Sequence, residues 1–157
     1  MKNTLITGKN LIIRKAVTDD IQFMGKAETD AENSPWIGHW NDELRLEQFK
    51  NPDVLQTIIE LKGGQKVGFI IFRELLNKDL HIELKRICIT EKGKGYGKEA
   101  LYLSQDLAFN KLNAQKLYLH TKTENIRAQN IYKATGFNME MPDPCTSFYL
   151  NKIDYKG

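Results

Sequence analysis

"LHIELKRICITEKGKGYGKEAL", residues 80–101, carries a strand, a glycine loop and the start of a helix in one continuous stretch. In its first half Leu80, Ile82 and Leu84 alternate with polar residues, and Ile87 and Ile89 then alternate in the opposite parity. A flat strand sends these two sets to opposite faces. One extra residue at Lys85–Arg86 returns both to the same face, so the parity change predicts a β-bulge there. A strand buried on both faces is the other structure compatible with the same letters. After the loop, Ala100, Leu101, Ser104, Leu107, Ala108 and Leu112 recur at helical spacing, predicting a helix from about Gly95 to Lys111.

Between strand and helix, Gly93, Gly95 and Gly97 alternate with Lys94 and Tyr96 and are flanked by Lys92 and Lys98. Glycines at this density let the backbone approach a ligand closely, and the lysines favour an anion. A P-loop is excluded: the spacing from Gly93 to Gly97 is one residue short, and Glu99 stands where a magnesium-binding hydroxyl belongs. A dinucleotide fingerprint fails too, because the loop runs G-K-G-Y-G-K and lies mid-chain after a hairpin. What remains is a helix start whose bare amides and dipole suit a pyrophosphate, with Lys92, Lys94 and Lys98 adding charge. A tight strand–helix turn with a solvated lysine face is the bland alternative.

Outward from this stretch, "LIIRKAV" (residues 11–17) is a strand candidate, followed by capping residues Thr18, Asp19 and Asp20 and a helix to about Thr29. A second helix is predicted after Asn41. "VLQTIIEL" and "VGFIIF", separated by "KGGQK", form a hairpin signal. Downstream, "AQKLYLHT" is a strand, "NIRAQNIYKAT" a helix stopped by Gly136, Phe137 opens a short strand, and "TSFYLNKI" is the last strand. Strand, loop, helix, strand implies a parallel crossover, whereas the hairpin implies antiparallel neighbours. The expected class is therefore α+β, with a twisted mixed sheet of six to seven strands.

The chain of 157 residues fits one domain, and 41% hydrophobic with 27% charged residues gives no case for disorder. A net charge of +3 is too small to argue for nucleic acid, and no aromatic–basic recognition motif supports it. Cys88 and Cys145 show no metal spacing. No signal-peptide pattern and no membrane-length apolar run is present, so a cytoplasmic, membrane-free protein without a metal is expected.

In "ENIRAQNIYKATGF" Asn125, Ala128, Tyr132, Gly136 and Phe137 follow the pattern N-x-x-A-x-x-x-Y-x-x-x-G-F. With "KGKGYG" some thirty residues earlier, this resembles the GNAT superfamily of acetyl-coenzyme A-dependent N-acetyltransferases, and looks closest to its spermidine and ribosomal-protein-alanine branch. Lys92 departs from the glutamine or arginine usual in the phosphate loop but keeps a positive charge. The resemblance implies helices on both faces of the sheet, acetyl-CoA as cosubstrate and an amine acceptor, either a small molecule or a protein N-terminus. It also implies a monomer or homodimer.

By the same resemblance the cofactor strand is Ile87, Cys88 and Ile89, with the Ile87 N–H toward the thioester carbonyl. Lys92 through Gly97 would hold the pyrophosphate, with Lys98 beside them. Tyr132 would be the general acid; Asn125 contacts the cofactor arm or caps its helix. Glu83 is implied as a general base acting through water, against an ordinary ion-paired strand glutamate, with His120 as a second base candidate. Cys88 lacks a nucleophile's partners. The acceptor would lie by the first two helices, where Glu28, Trp36, His39 and Trp40 offer carboxylate and indole to a cationic amine, unless the tryptophans simply pack the core. A non-catalytic CoA-binding regulator with the same fold is the alternative function.

Overall fold

The computed structural model describes residues 3–30, 33, 35, 38–140 and 146–157. Strand β5 (His81–Ile89) lies in the middle of the sheet and carries the expected bulge. On the neighbouring strand β4 (Lys66–Arg73), Ile71 faces Arg86 and Phe72 faces Leu84, so Lys85 is the extra residue. Ile82, Leu84 and Ile89 consequently enter one core cluster, with Ile87 packed against it. Cys88 faces the other cluster. The two structures weighed from sequence are both present: the strand is bulged, and it is buried on both faces.

Among the described residues the sheet has eight strands in the order β1-β2-β3-β4-β5-β6-β8-β7. The strands are β1 (Thr4–Thr7), β2 (Leu11–Lys15), β3 (Val54–Leu61), β4, β5, β6 (Lys116–Thr121), β7 (Asn138–Glu140) and β8 (Thr146–Asn151). This is one more than expected. The addition is β1, a four-residue edge strand whose two flanking threonines are exposed, so it lacks an apolar run to announce it. Among the described residues only β5 and β6 pair in parallel; the other neighbours are antiparallel.

Helices α1 (Ile21–Thr29) and α2 (Asp42–Gln48) cover one face, where Met24 and Ala27 pack on Ile58, Phe69 and Ile71. Thr18 to Asp20 form a short 3-10 turn before α1, and the Asp20 carboxylate accepts two hydrogen bonds from buried Arg14 at 2.8 and 2.9 Å instead of capping α1. The Asn41 side chain does cap α2, accepting from the Leu44 N–H at 2.8 Å. On the opposite face lie α3 (Tyr96–Asp106), extended by a π-helical turn to Lys111, and α4 (Ile126–Ala134). Glu99, in the first turn of α3, accepts from the backbone N–H groups of Asn10 and Leu11 at 2.8 and 2.9 Å. This ties the start of α3 to the β1–β2 turn and fixes the end of the helix that follows the glycine loop.

Gly68 lets β4 approach the bulged strand: a Cβ there would sit 2.3 Å from the Cys88 carbonyl oxygen, a backbone atom that cannot move aside. Gly68→Ala is expected to destabilise the protein by about 1–3 kcal/mol in urea unfolding. Gly63→Ala, where the added methyl meets nothing within 4 Å, should stay within about 0.5 kcal/mol of wild type.

Candidate active site

β5 and β6 pair only at His81–Lys116, Ile82–Leu117 and Glu83–Tyr118. Beyond the bulge they part, β5 staying with β4 and β6 with β8. The space between them opens into a cleft of about 980 Å³. The Thr90 N–H bonds the Val67 carbonyl at 2.8 Å, so residues 88 and 90 direct their backbone groups toward β4. By alternation, those of Ile87 and Ile89 face the gap. Both residues line the cleft. The Cys88 side chain points the other way, donating from Sγ to the Ala27 carbonyl at 3.3 Å, and burial pushes its thiol up to about 12.

At one end of the cleft lies the glycine loop. Gly93 and Gly95 adopt φ of +78° and +79°, the left-handed region where glycine is favoured, and Gly95 is the N-cap of α3 without a side-chain cap bond. The first amides of α3 are thus left for an anion at the mouth. Lys92, Tyr96, Gly97 and Lys98 line the cleft; Lys94 lies outside its wall, 3.6 Å from Glu91. Lys92 Nζ donates to Asn33 Oδ1 at 2.6 Å, while Asn33 Nδ2 donates to the Ile89 carbonyl at 3.3 Å. Asn33, which the sequence did not single out, therefore joins the loop to the gap-facing strand.

α4 supplies the remaining wall. The Asn125 side chain caps it, accepting from the Ala128 N–H at 3.2 Å, and one turn later Tyr132 lies on the same stripe. Tyr132 is 9% exposed, with its ring edge-on to Phe148 at 5.1 Å, and it lines the cleft. Burial alone raises its hydroxyl to about 12, so the phenol carries its proton at neutral pH.

Glu83 is not brought to the cleft wall. It sits on the opposite face of β5, 5% exposed, and accepts from Arg73 Nε at 2.6 Å. His120 does line the cleft, with Nδ1 2.7 Å from Ser147 Oγ.

The expected acceptor carboxylate is also committed elsewhere. Glu28 is 1% exposed and takes bonds from Arg45 Nη2 (2.6 Å), Arg86 Nη1 (2.7 Å) and the Trp40 N–H (3.1 Å), with His39 Nδ1 at 2.9 Å. Arg45 and Arg86 also lie over the Trp40 ring at 6.0 and 5.6 Å. Carboxylate and indole do hold a cation, as their residue types suggest, but the cations are the protein's own guanidiniums. This corrects the assignment of Glu28 and Trp40 to an incoming amine. Trp36 lies outside the described residues, as does Cys145. Burial lowers the Arg45 pKa, and its Nε and Nη1 find no hydrogen-bond partner among the described residues.

Among the described residues no group of three or more His, Cys, Asp or Glu converges as a metal site, and no helix is long and apolar enough to cross a membrane. Residues 10–138 match the acetyltransferase (GNAT) domain family. The spermidine N(1)-acetyltransferase of Vibrio cholerae is 33% identical over 152 residues, covering 90% of this chain and 86% of that enzyme. The Escherichia coli K12 spermidine N(1)-acetyltransferase is 36% identical over 78 residues, 49% of this chain; the match spans 42% of that enzyme's length, less than half. In three dimensions the chain superposes on the Vibrio cholerae spermidine N-acetyltransferase solved in complex with CoA and spermine. The TM-score is 0.84 at 18% identity, covering 94% of this chain and 98% of that one, a likeness of fold.

Glu28 is the counter-charge of two buried arginines. Glu28→Ala is expected to cost about 3–5 kcal/mol, because it leaves both guanidiniums uncompensated. Equilibrium unfolding in urea checks this; a loss below about 1 kcal/mol would mean that the cluster contributes little to folding.

Proposed function

The chain belongs to the acetyltransferase (GNAT) domain family, and from that membership we propose that residues 1–157 act as one domain transferring an acetyl group from acetyl-CoA to an amine. The observation that carries this reading is the convergence of three features on one cleft: the unpaired backbone edge at Ile87 and Ile89, the glycine loop, and Tyr132. Acetyl-CoA supplies an activated thioester on a long pantetheine arm with a pyrophosphate at its far end.

The chain's residues fit each part. The N–H groups of Ile87 and Ile89 and the Ile87 carbonyl face an extended arm, as a sheet edge faces an added strand, while the Ile89 carbonyl already accepts from Asn33. The amides of residues 93–97, with Lys92 and Lys98 on the wall and Lys94 beside it, suit the pyrophosphate. Within the bulge, the Ile87 N–H serves as oxyanion donor to the thioester carbonyl. Tyr132 then gives its proton to the departing thiolate. A phenol at about 12 is a weak acid for a thiol of ordinary pKa ~8.5, so transfer must accompany C–S cleavage, when the thiolate is unsolvated in the same apolar surroundings.

Cys88, turned from the cleft and held as a thiol by burial, does not suit a covalent acetyl intermediate; direct attack by the amine in a ternary complex follows. For the base, Glu83 would have to act through water from the far face, whereas His120 stands on the cleft wall, and the geometry favours His120. Polyamines are the first acceptors to test, since the similar enzymes are spermidine acetyltransferases and one was solved with spermine.

Thiol release from acetyl-CoA, measured with spermidine and a panel of other amines, tests the reading. Turnover is expected with at least one amine. Tyr132→Phe should lower kcat by about 10²–10⁴-fold while CoA affinity in calorimetry changes little. Absence of acetyl-CoA binding would overturn the proposal, and equal losses in kcat and affinity would reduce Tyr132 to a packing residue.

A further inference from the structure

Lys85 is the residue that makes the bulge, and the chemistry described so far leaves it unused. It is half-buried, lines the cleft beside Leu84 and Ile87, and forms neither a hydrogen bond nor an ion pair among the described residues. Two other lysines of the wall are held: Lys92 by Asn33 Oδ1 at 2.6 Å and Lys122 by the Pro35 carbonyl at 2.7 Å. The nearby carboxylate of β5, Glu83, is committed to Arg73, and Glu28 of α1 to Arg45 and Arg86.

We propose that Lys85 is a self-acetylation site, its amine accepting the acetyl group from acetyl-CoA bound in the same cleft. This rests on the function proposed above. An amine acceptor must reach the thioester, be free of strong partners and lose its proton. Lys85 lies two residues before Ile87 in the bulge, has no hydrogen-bond or ion-pair partner among the described residues, and sits where its charged form is disfavoured. Burial, with repulsion from Arg73 and Arg86, lowers its pKa against a smaller opposing pull from Glu83.

The step balances without any further reagent. The Lys85 Nζ lone pair attacks the thioester carbonyl carbon, the C–N bond forms and the C–S bond breaks. Tyr132 protonates the leaving thiolate, the proton of the attacking nitrogen passes to water in the open cleft, and the phenolate regains one from solvent. The products are Nε-acetyl-Lys85 and the CoA thiol. Acetylation removes a positive charge and fills the acyl end of the cleft, so the modified enzyme is expected to turn over more slowly.

The test incubates the full chain with acetyl-CoA and no added amine, followed by peptide mass spectrometry over time. Exposed Lys50, at the end of α2 and away from the cleft, reports non-specific acetylation. Lys85 is expected to be acetylated at least about tenfold faster than Lys50, to be suppressed by excess CoA, and to slow by about a hundredfold in Tyr132→Phe. Lys85→Arg should abolish labelling of that peptide and leave Lys50 labelling as before. If calorimetry shows acetyl-CoA binding but Lys85 is labelled no faster than Lys50, or is labelled equally in Tyr132→Phe, the inference is overturned and the proposed function stands. If acetyl-CoA does not bind, the proposed function itself falls, and self-acetylation with it.

Discussion

The parting of β5 from β6 beyond Glu83 and Tyr118 is the constraint on which the rest of the site depends. A continuous ladder there would use the backbone groups of Ile87 and Ile89 and close the cleft. One extra residue, Lys85, kinks β5 while leaving its pairing with β4 intact on both sides of the kink. The sheet thus keeps a firm central pair and still exposes an unpaired edge inside the molecule. Such an edge is ordinarily a liability for association. Here it is recessed between α4 and the glycine loop, where an extended ligand can reach it but another sheet cannot.

Around this opening the charges are sorted by burial. On the α1–α2 face, Glu28 neutralises Arg45 and Arg86, and Glu83 is matched by Arg73. These pairs fix the sheet face and the start of α2 without offering free charge to a ligand. On the cleft side Lys98 at the loop and Lys85 at the bulge line the wall, and Lys92 is held there by Asn33. Asn33 connects the two regions through the Ile89 carbonyl and Lys92. The segment between α1 and α2 is therefore tied directly to the strand and loop that form the cofactor side.

The parts of the fold legible in the sequence are those set by local spacing. The change of parity in "LHIELKRICI" announced the bulge, and glycine density announced the loop. Asn125, Ala128 and Tyr132 announced one helical stripe. What escaped is long-range pairing. Glu28 meets Arg45 seventeen residues on and Arg86 fifty-eight residues on. An acidic residue among tryptophans therefore suggested a site for an outside cation when its cations were internal. Glu83 has the same history on a smaller scale: its partner Arg73 comes from the next strand, placed opposite by the β4–β5 register. Spacing along the chain shows which face a side chain takes; it does not show what charge waits on the adjoining strand.

Amide hydrogen exchange at four consecutive positions tests most directly whether the gap is completed by the cofactor arm. Cys88 and Thr90 already direct their N–H groups to β4, whereas Ile87 and Ile89 direct theirs into the gap. On adding CoA, exchange at Ile87 and Ile89 is expected to slow markedly, with much smaller changes at Cys88 and Thr90. Saturating CoA that leaves Ile87 and Ile89 unchanged, or protects all four amides alike, would contradict strand-like binding of the arm along β5.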